Sequence, residues 1–136
     1  MGVPIFINLP VTDLDRSKWF YESLGWSINQ MFTDDNAACV VVDPGRIYLM
    51  LLTRKWYRTL MLRPLGDSEH HSHAAYALAF TDRGEVDRLA EAALAAGGSE
   101  ERNPDKRAAE TRVGMYSRSF LDLDGHQWEP FYLPME

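Results

Sequence analysis

The sequence predicts an α+β chain built from two tandem β-α-β-β-β modules, and three observations carry that prediction. Both halves open alike: "LPVTD" at 9–13 and "LAFTD" at 78–82 each close a strand-like run and start a helix-like one. Each helical stretch is followed by three strand-like stretches, and a turn ending in glycine (Gly45 in one half, Gly125 in the other) precedes the last of them. Order repeated in this way marks an internal duplication. Neither half has enough apolar surface for a stable core of its own. A single domain over 1–136 is therefore expected, with module one at 1–56, a connector at 57–72 and module two at 73–136.

The elements follow in order. "VPIFINLPV", residues 3–11, alternates as a strand, with Ile5, Ile7, Leu9 and Val11 on one face and Phe6, Asn8 and Pro10 on the other. "TDLDRSKWFYESLGW" reads as a helix capped by Asp13 and stopped at Gly25, with Trp19, Phe20 and Leu24 as its apolar stripe. Strands are expected next in 26–33, 37–43 and 46–53, separated by the turn clusters Asp34-Asp35-Asn36 and Asp43-Pro44-Gly45. The segment from Arg54 begins with a short helical stretch and carries Trp56, Tyr57, Leu60, Met61 and Leu62, too apolar for a flexible linker. In the second half, 74–80 is a strand with Ala75, Ala77 and Ala79 on one face. Asp82 and Glu85 then form a capping-box pattern, and Val86, Leu89, Ala90, Ala93 and Leu94 share the buried face of a helix ended by Gly97-Gly98. Strands near 98–103, 114–121 and 126–133 complete the second module.

Composition narrows the function classes. With 46% hydrophobic and 25% charged residues, the chain has the make-up of an ordinary soluble globular protein. A net charge of -6 argues against nucleic acid as a partner, because phosphate binding needs a basic surface. The longest apolar run, Ile47 to Leu52, is far too short to span a bilayer, so no membrane association is expected. The N-terminal residues lack a charged region followed by a long apolar one, so no secretory signal is expected and a cytoplasmic location is the default. Cys39 is alone, which excludes an intrachain disulfide and multi-cysteine zinc sites. No Ser-His-Asp order, P-loop or GxGxxG is present.

Two stretches carry a resemblance. "LPVTDLDRSKWFYESLGW" is similar to the opening signature, and "DLDGHQWEPF" to the closing one, of the vicinal oxygen chelate superfamily. That superfamily includes glyoxalase I, bleomycin-resistance proteins, fosfomycin-resistance enzymes and extradiol dioxygenases. The resemblance covers essentially the whole chain, and it is specific for fold but weak for function, since the superfamily spans isomerases, transferases, oxygenases and binders. It implies sheets curved into a cup with helices outside, and in catalytic members a divalent metal at the base of the cup. The ligand positions it implies fall on Phe6, on Leu51 (Leu49 if the register slips by two), on Ala75 and on Glu129. Only Glu129 can ligate, and one carboxylate cannot hold a divalent ion. No metal and no other cofactor is therefore expected.

Glu129 is the best single candidate for chemistry. It lies among Trp128, Pro130 and Phe131, where an unpaired charge is costly to desolvate. It reads either as a structural acid satisfied by neighbouring strands and Gln127, or as a base or acceptor for a ligand. The ligand surface is expected to take in Phe6, Asn8, Leu51, Trp56, Ala75, Ala77, Tyr116, Arg118 and Phe131, with Tyr57 and Phe120 as further aromatics. The three alanines leave room for a ligand, for the other module or for large facing residues, and Arg118 reads either as a partner for an anionic ligand or as a surface arginine, the commoner case. Trp19 and Phe20 are expected in the core between helix and sheet. The His70-His71-Ser72-His73 run reads as a polar loop; a displaced metal site from His73 and Glu129 lacks a third ligand. His126 reads as a solvated turn residue.

The resulting expectation is a protein that binds a small organic molecule in an apolar, aromatic-lined pocket without the family metal, bleomycin-resistance-like by analogy. The alternative is an enzyme, lyase, isomerase or dioxygenase-like, using Glu129 as base or within a displaced metal site. A third reading is a structural or regulatory dimer with no ligand. The resemblance also implies a homodimer.

Overall fold

The chain, seen in a computed structural model described over residues 2–134, divides into two units, one running to Asp67 and the other starting at Ser68. Met1, Met135 and Glu136, the outermost residues of the two expected modules, lie outside the described residues. The first unit contains β1 (Ile5–Val11), α1 (Leu14–Ser23), β2 (Ser27–Asn29), β3 (Ala37–Asp43), β4 (Ile47–Thr53) and α2 (Arg54–Leu60). Its strands lie in the order β1-β4-β3-β2, with β1 parallel to β4 and the other pairs antiparallel. α1 begins where the Asp13 carboxylate accepts the Arg16 N–H, and the chain leaves it through Gly25 at φ 97°.

α1 packs on β3 and β4 through Ser17, Phe20, Tyr21 and Leu24, a spacing that keeps one helical face buried. Trp19, expected in that stripe, is 54% exposed because it falls one residue off this spacing. The strand expected over 26–33 is a strand only at β2. Asn29 ends it by accepting the Met31 N–H, and Gln30–Phe32 turns as a 3-10 helix.

The second unit contains β5 (Ala75–Phe80), α3 (Arg83–Ala95), β6 (Ser99–Glu101), α4 (Pro104–Arg112), β7 (Tyr116–Ser117), β8 (Ser119–Leu121) and β9 (Gln127–Tyr132). The order is β5-β9-β8-β6, β7 also pairs with β9, and β5 is again parallel to the last strand. α3 starts at Asp82, whose carboxylate accepts the Glu85 N–H, and buries Val86, Leu89, Ala90 and Ala93. The strand expected over 114–121 is split at Arg118 into β7 and β8. α4 was not anticipated. It starts at Asn103, whose side chain accepts the N–H groups of Asp105 and Lys106, with Pro104 in the first turn, where its missing N–H costs nothing.

Both sheets are open and mixed, and helices pack on them, so the expected pair of β-α-β-β-β units is present. The turn before β9 is a buried knot. The Asp122 carboxylate accepts the N–H groups of Asp124 and His126, and Ser68 Oγ donates to the Asp124 carbonyl. Gly125 has φ +86°, and a Cβ there would meet the Ser68 carbonyl oxygen at 2.4 Å. Glycine is required twice over, by conformation and by space. His126, expected in solvent, is buried in this knot with its ring centroid 6.2 Å from that of His73.

Candidate functional site

Strand register decides which side chains share a face. In the first unit, Leu9 pairs with Leu51 and Ile7 with Leu49, and Leu9, Leu49 and Leu51 are buried. Phe6 pairs with Tyr48 and Asn8 with Met50 on the opposite face. Leu51 therefore does not share a face with Phe6. Tyr48 and Met50 are the β4 residues that do, and Phe6 stacks on Tyr48 with ring centroids 4.6 Å apart. Phe6 is 53% exposed and Asn8 is exposed as well. Trp56 sits on α2, partly exposed.

In the second unit Ala75, Ala77 and Ala79 pair with Gln127, Glu129 and Phe131. All three alanines are exposed, forming a shallow strip beside a carboxylate and an aromatic ring. The opposite face carries Trp128 and Phe120, fully buried, with α3 on the sheet. Phe120 is therefore core. Tyr116 and Arg118 also point to α3: the Tyr116 hydroxyl donates to Asp87, and Arg118 donates to Asp87, Glu91 and Glu100.

The reading of Arg118 as a partner for an anionic ligand gives way here, because its guanidinium is already shared among three carboxylates. Its hydrogen bonds with Glu100 hold that carboxyl below the usual range and push the Arg118 guanidinium further up. The hydrogen bond to Asp87 pushes the Tyr116 phenol up in the same way.

Glu129 has a cationic partner from outside its own strand neighbourhood. Lys106 of α4 places Nζ 2.7 Å from Glu129 Oε1, and Gln127 Nε2 donates to the same oxygen at 2.7 Å. Lys106 also approaches Glu110 Oε2 at 3.6 Å and Ser119 Oγ at 3.5 Å. Glu110 is held in turn by Ser117 Oγ at 2.7 and 2.8 Å. Among the described residues the polar contacts of the Glu129 side chain thus fall on Oε1, which leaves Oε2 as an acceptor on the face that Glu129 shares with the alanines.

A cavity of about 340 Å³ opens next to this pair, lined by Arg102, Asn103, Lys106, Ser119, Leu121 and Gln127. A second of about 300 Å³ is bordered by His70, His71, His73, His126 and Gln127, and a third of about 450 Å³ by Ala79, Phe131, Tyr132 and Pro134.

The residues at the metal positions implied by the resemblance do not fit a divalent ion. Phe6, Leu51 and Ala75 offer no donor, and Glu129 Oε1 already carries an ammonium. Among the described residues, no group of three or more His, Cys, Asp or Glu side chains is placed to hold a metal ion. Sequence reasoning missed Lys106, Glu110 and Ser119. The signal was there: Asn103-Pro104 is a helix start, and Lys106 and Glu110 stand four apart, on one helical face.

The bleomycin resistance protein-like N-terminal family matches residues 5–43. No curated protein matches the chain. Among solved structures, a hypothetical protein from S. aureus is 25% identical with a TM-score of 0.72, over 97% of this chain and 95% of that one. A glyoxalase-related enzyme from Fulvimarina pelagi is 25% identical with a TM-score of 0.73, over 98% and 88%. A fosfomycin resistance protein from Listeria monocytogenes, at 18% identity and a TM-score of 0.65 over 100% and 94%, is a likeness of fold. The resemblance to the vicinal oxygen chelate superfamily is borne out by the family match and these structures together. Among the described residues no helix is long and apolar enough to cross a membrane.

Proposed function

We propose that this glyoxalase/bleomycin-resistance/dioxygenase-type protein binds a small organic molecule on the open face of its second sheet, without the family metal. The observation that carries the reading is the exposed strip of Ala75, Ala77 and Ala79 in register with Gln127, Glu129 and Phe131. Small side chains there leave room for a flat or apolar body, Phe131 gives it an aromatic contact, and Glu129 Oε2 fixes a donor group. Phe6 and Asn8 give the first sheet an open face of its own, with the stacked Phe6 and Tyr48 as its aromatic surface. Leu51, Tyr116 and Arg118 have no part in this reading, since each faces a packed helix-side layer.

The test is a compound panel on the purified chain, read by thermal shift and by mass spectrometry of co-purified material. Ala77→Trp should abolish the shift while leaving the unliganded melting temperature within a few degrees, because the ring enters an exposed face. In a packed core the same change would cost about 1–3 kcal/mol. A large loss of stability, with binding retained, would overturn the assignment.

A second reading is favoured by one observation: a carboxylate held at Oε1 and open at Oε2 is also placed to take a proton from a bound substrate. Turnover lost in Glu129→Gln with binding retained would establish it. We further propose a homodimer in the cytoplasm, checked by light scattering of the purified chain and by fractionation.

A further inference from the structure

Resting on the reading of the second unit's open face as a ligand site, we propose that Lys106 sets the charge class of the ligand accepted at Glu129. Lys106 Nζ makes its shortest contact, 2.7 Å, with Glu129 Oε1, and the longer one, 3.6 Å, with Glu110. Glu110 has its own donor in Ser117, whereas Glu129, among the described residues, has Lys106 as its cation and Gln127 as a neutral donor. The ammonium therefore chiefly compensates Glu129.

A carboxylate that already has its counter-ion takes a neutral donor, an amide N–H or a hydroxyl, at Oε2 without leaving a net charge behind. Without the ammonium, Glu129 and Glu110 both lose their nearest cation, and a cationic group is attracted instead. Lys106 reaches this position from α4, a helix that has no counterpart in the first unit. It is the place where the sequence has added chemistry to a repeated frame. Lys106 acts through Glu129, so it is a positioning and specificity residue.

The experiment compares three ring-matched probes that differ in charge: benzamide, benzamidine and benzoate. Dissociation constants are measured by ligand-observed NMR on the unaltered chain, on Lys106→Met and on Lys106→Arg. The unaltered chain should take benzamide at least as well as benzamidine, and benzoate worst. Lys106→Met should raise benzamidine relative to benzamide by about tenfold, the effect of one lost charge in a partly screened site. Lys106→Arg should keep the original ratio. Arg102, which lines the same cavity, is present throughout, so the ratio reads Lys106. If Lys106→Met does not fold, Lys106→Gln replaces it with the same expectation. Probes that bind with an unmoved ratio, or a preference for benzoate, overturn this inference and leave the ligand site standing. No binding of any probe to any of the proteins removes both.

Discussion

The two units repeat one topology and differ in what they place on the open face. In the first, the positions in register on that face include Phe6, Asn8, Tyr48, Met50, Val41, Asn29 and the buried Cys39, with no charge among them. In the second they are alanines, Gln127, Glu129 and Phe131, with Lys106 and Glu110 brought in by α4. The strand side chains account for part of the difference, and the chain between second and third strand for the rest: a three-residue 3-10 turn, Gln30–Phe32, in one unit, and the nine-residue α4, which brings Lys106 and Glu110, in the other. A duplicated frame thus keeps its strand order while its strand residues and one connection change the chemistry.

The turns that precede the last strands give the largest test of this contrast. Gly45 and Gly125 both have positive φ, but a Cβ on Gly45 meets nothing within 4 Å, whereas one on Gly125 strikes the Ser68 backbone. Gly45→Ala should cost about 1 kcal/mol from the left-handed conformation alone. Gly125→Ala should cost roughly 2–4 kcal/mol, since the clash adds to it. Equal losses in chemical denaturation would show that the knot around Ser68 is not formed.

Next in size is Arg118→Met, expected to cost about 2 kcal/mol at neutral pH. Most of that comes from Glu100, because Glu91 and Asp87 are more exposed and solvent screens them. Glu100's pKa is depressed in the folded chain, so its contribution is present above the ordinary value of 4.5 and is lost as pH falls through the depressed one. The deficit of the variant should therefore shrink in acid. Melting temperatures across pH 3–7 check it, and a deficit that is constant with pH would contradict the pairing.

A smaller effect is expected at the Lys106–Glu129 pair, with the lysine side chain 34% exposed and the glutamate 14%. A double-mutant cycle of Lys106→Met and Glu129→Gln should give a coupling of about 1 kcal/mol. A coupling of zero would mean that the two groups do not meet. The smallest is Phe6→Ala, about 0.5–1 kcal/mol from the lost stacking on Tyr48, in a ring that is half exposed.

Much of the fold was legible because its signals are local. Asp13 and Asp82 capped helices as their spacing required, and the apolar run of 37–43 and the alternation in 74–80 marked strands nearly to the residue. α4 escaped because it buries no residue, so it has no apolar period to read; its Asn-Pro start and the spacing of Lys106 and Glu110 are what announce it. The site was less legible for the same reason. Glu129 was identifiable from its setting, but its partner is 23 residues away on that unread helix, and the face of Leu51 depended on a one-residue register that sequence alone leaves open. Arg118 was misread because its carboxylates come from α3 and β6, elements brought together only by folding.

The central claim is that ligand binds on the alanine strip beside Glu129. The direct measurement is a methyl NMR titration of the chain labelled at alanine Cβ, with benzamide as the probe. Saturable shifts of the Ala75, Ala77 and Ala79 methyls are expected, lost in Glu129→Gln, while Ala90 and Ala93, buried on α3, stay still. Shifts confined to other alanines, or unchanged by Glu129→Gln, would contradict it.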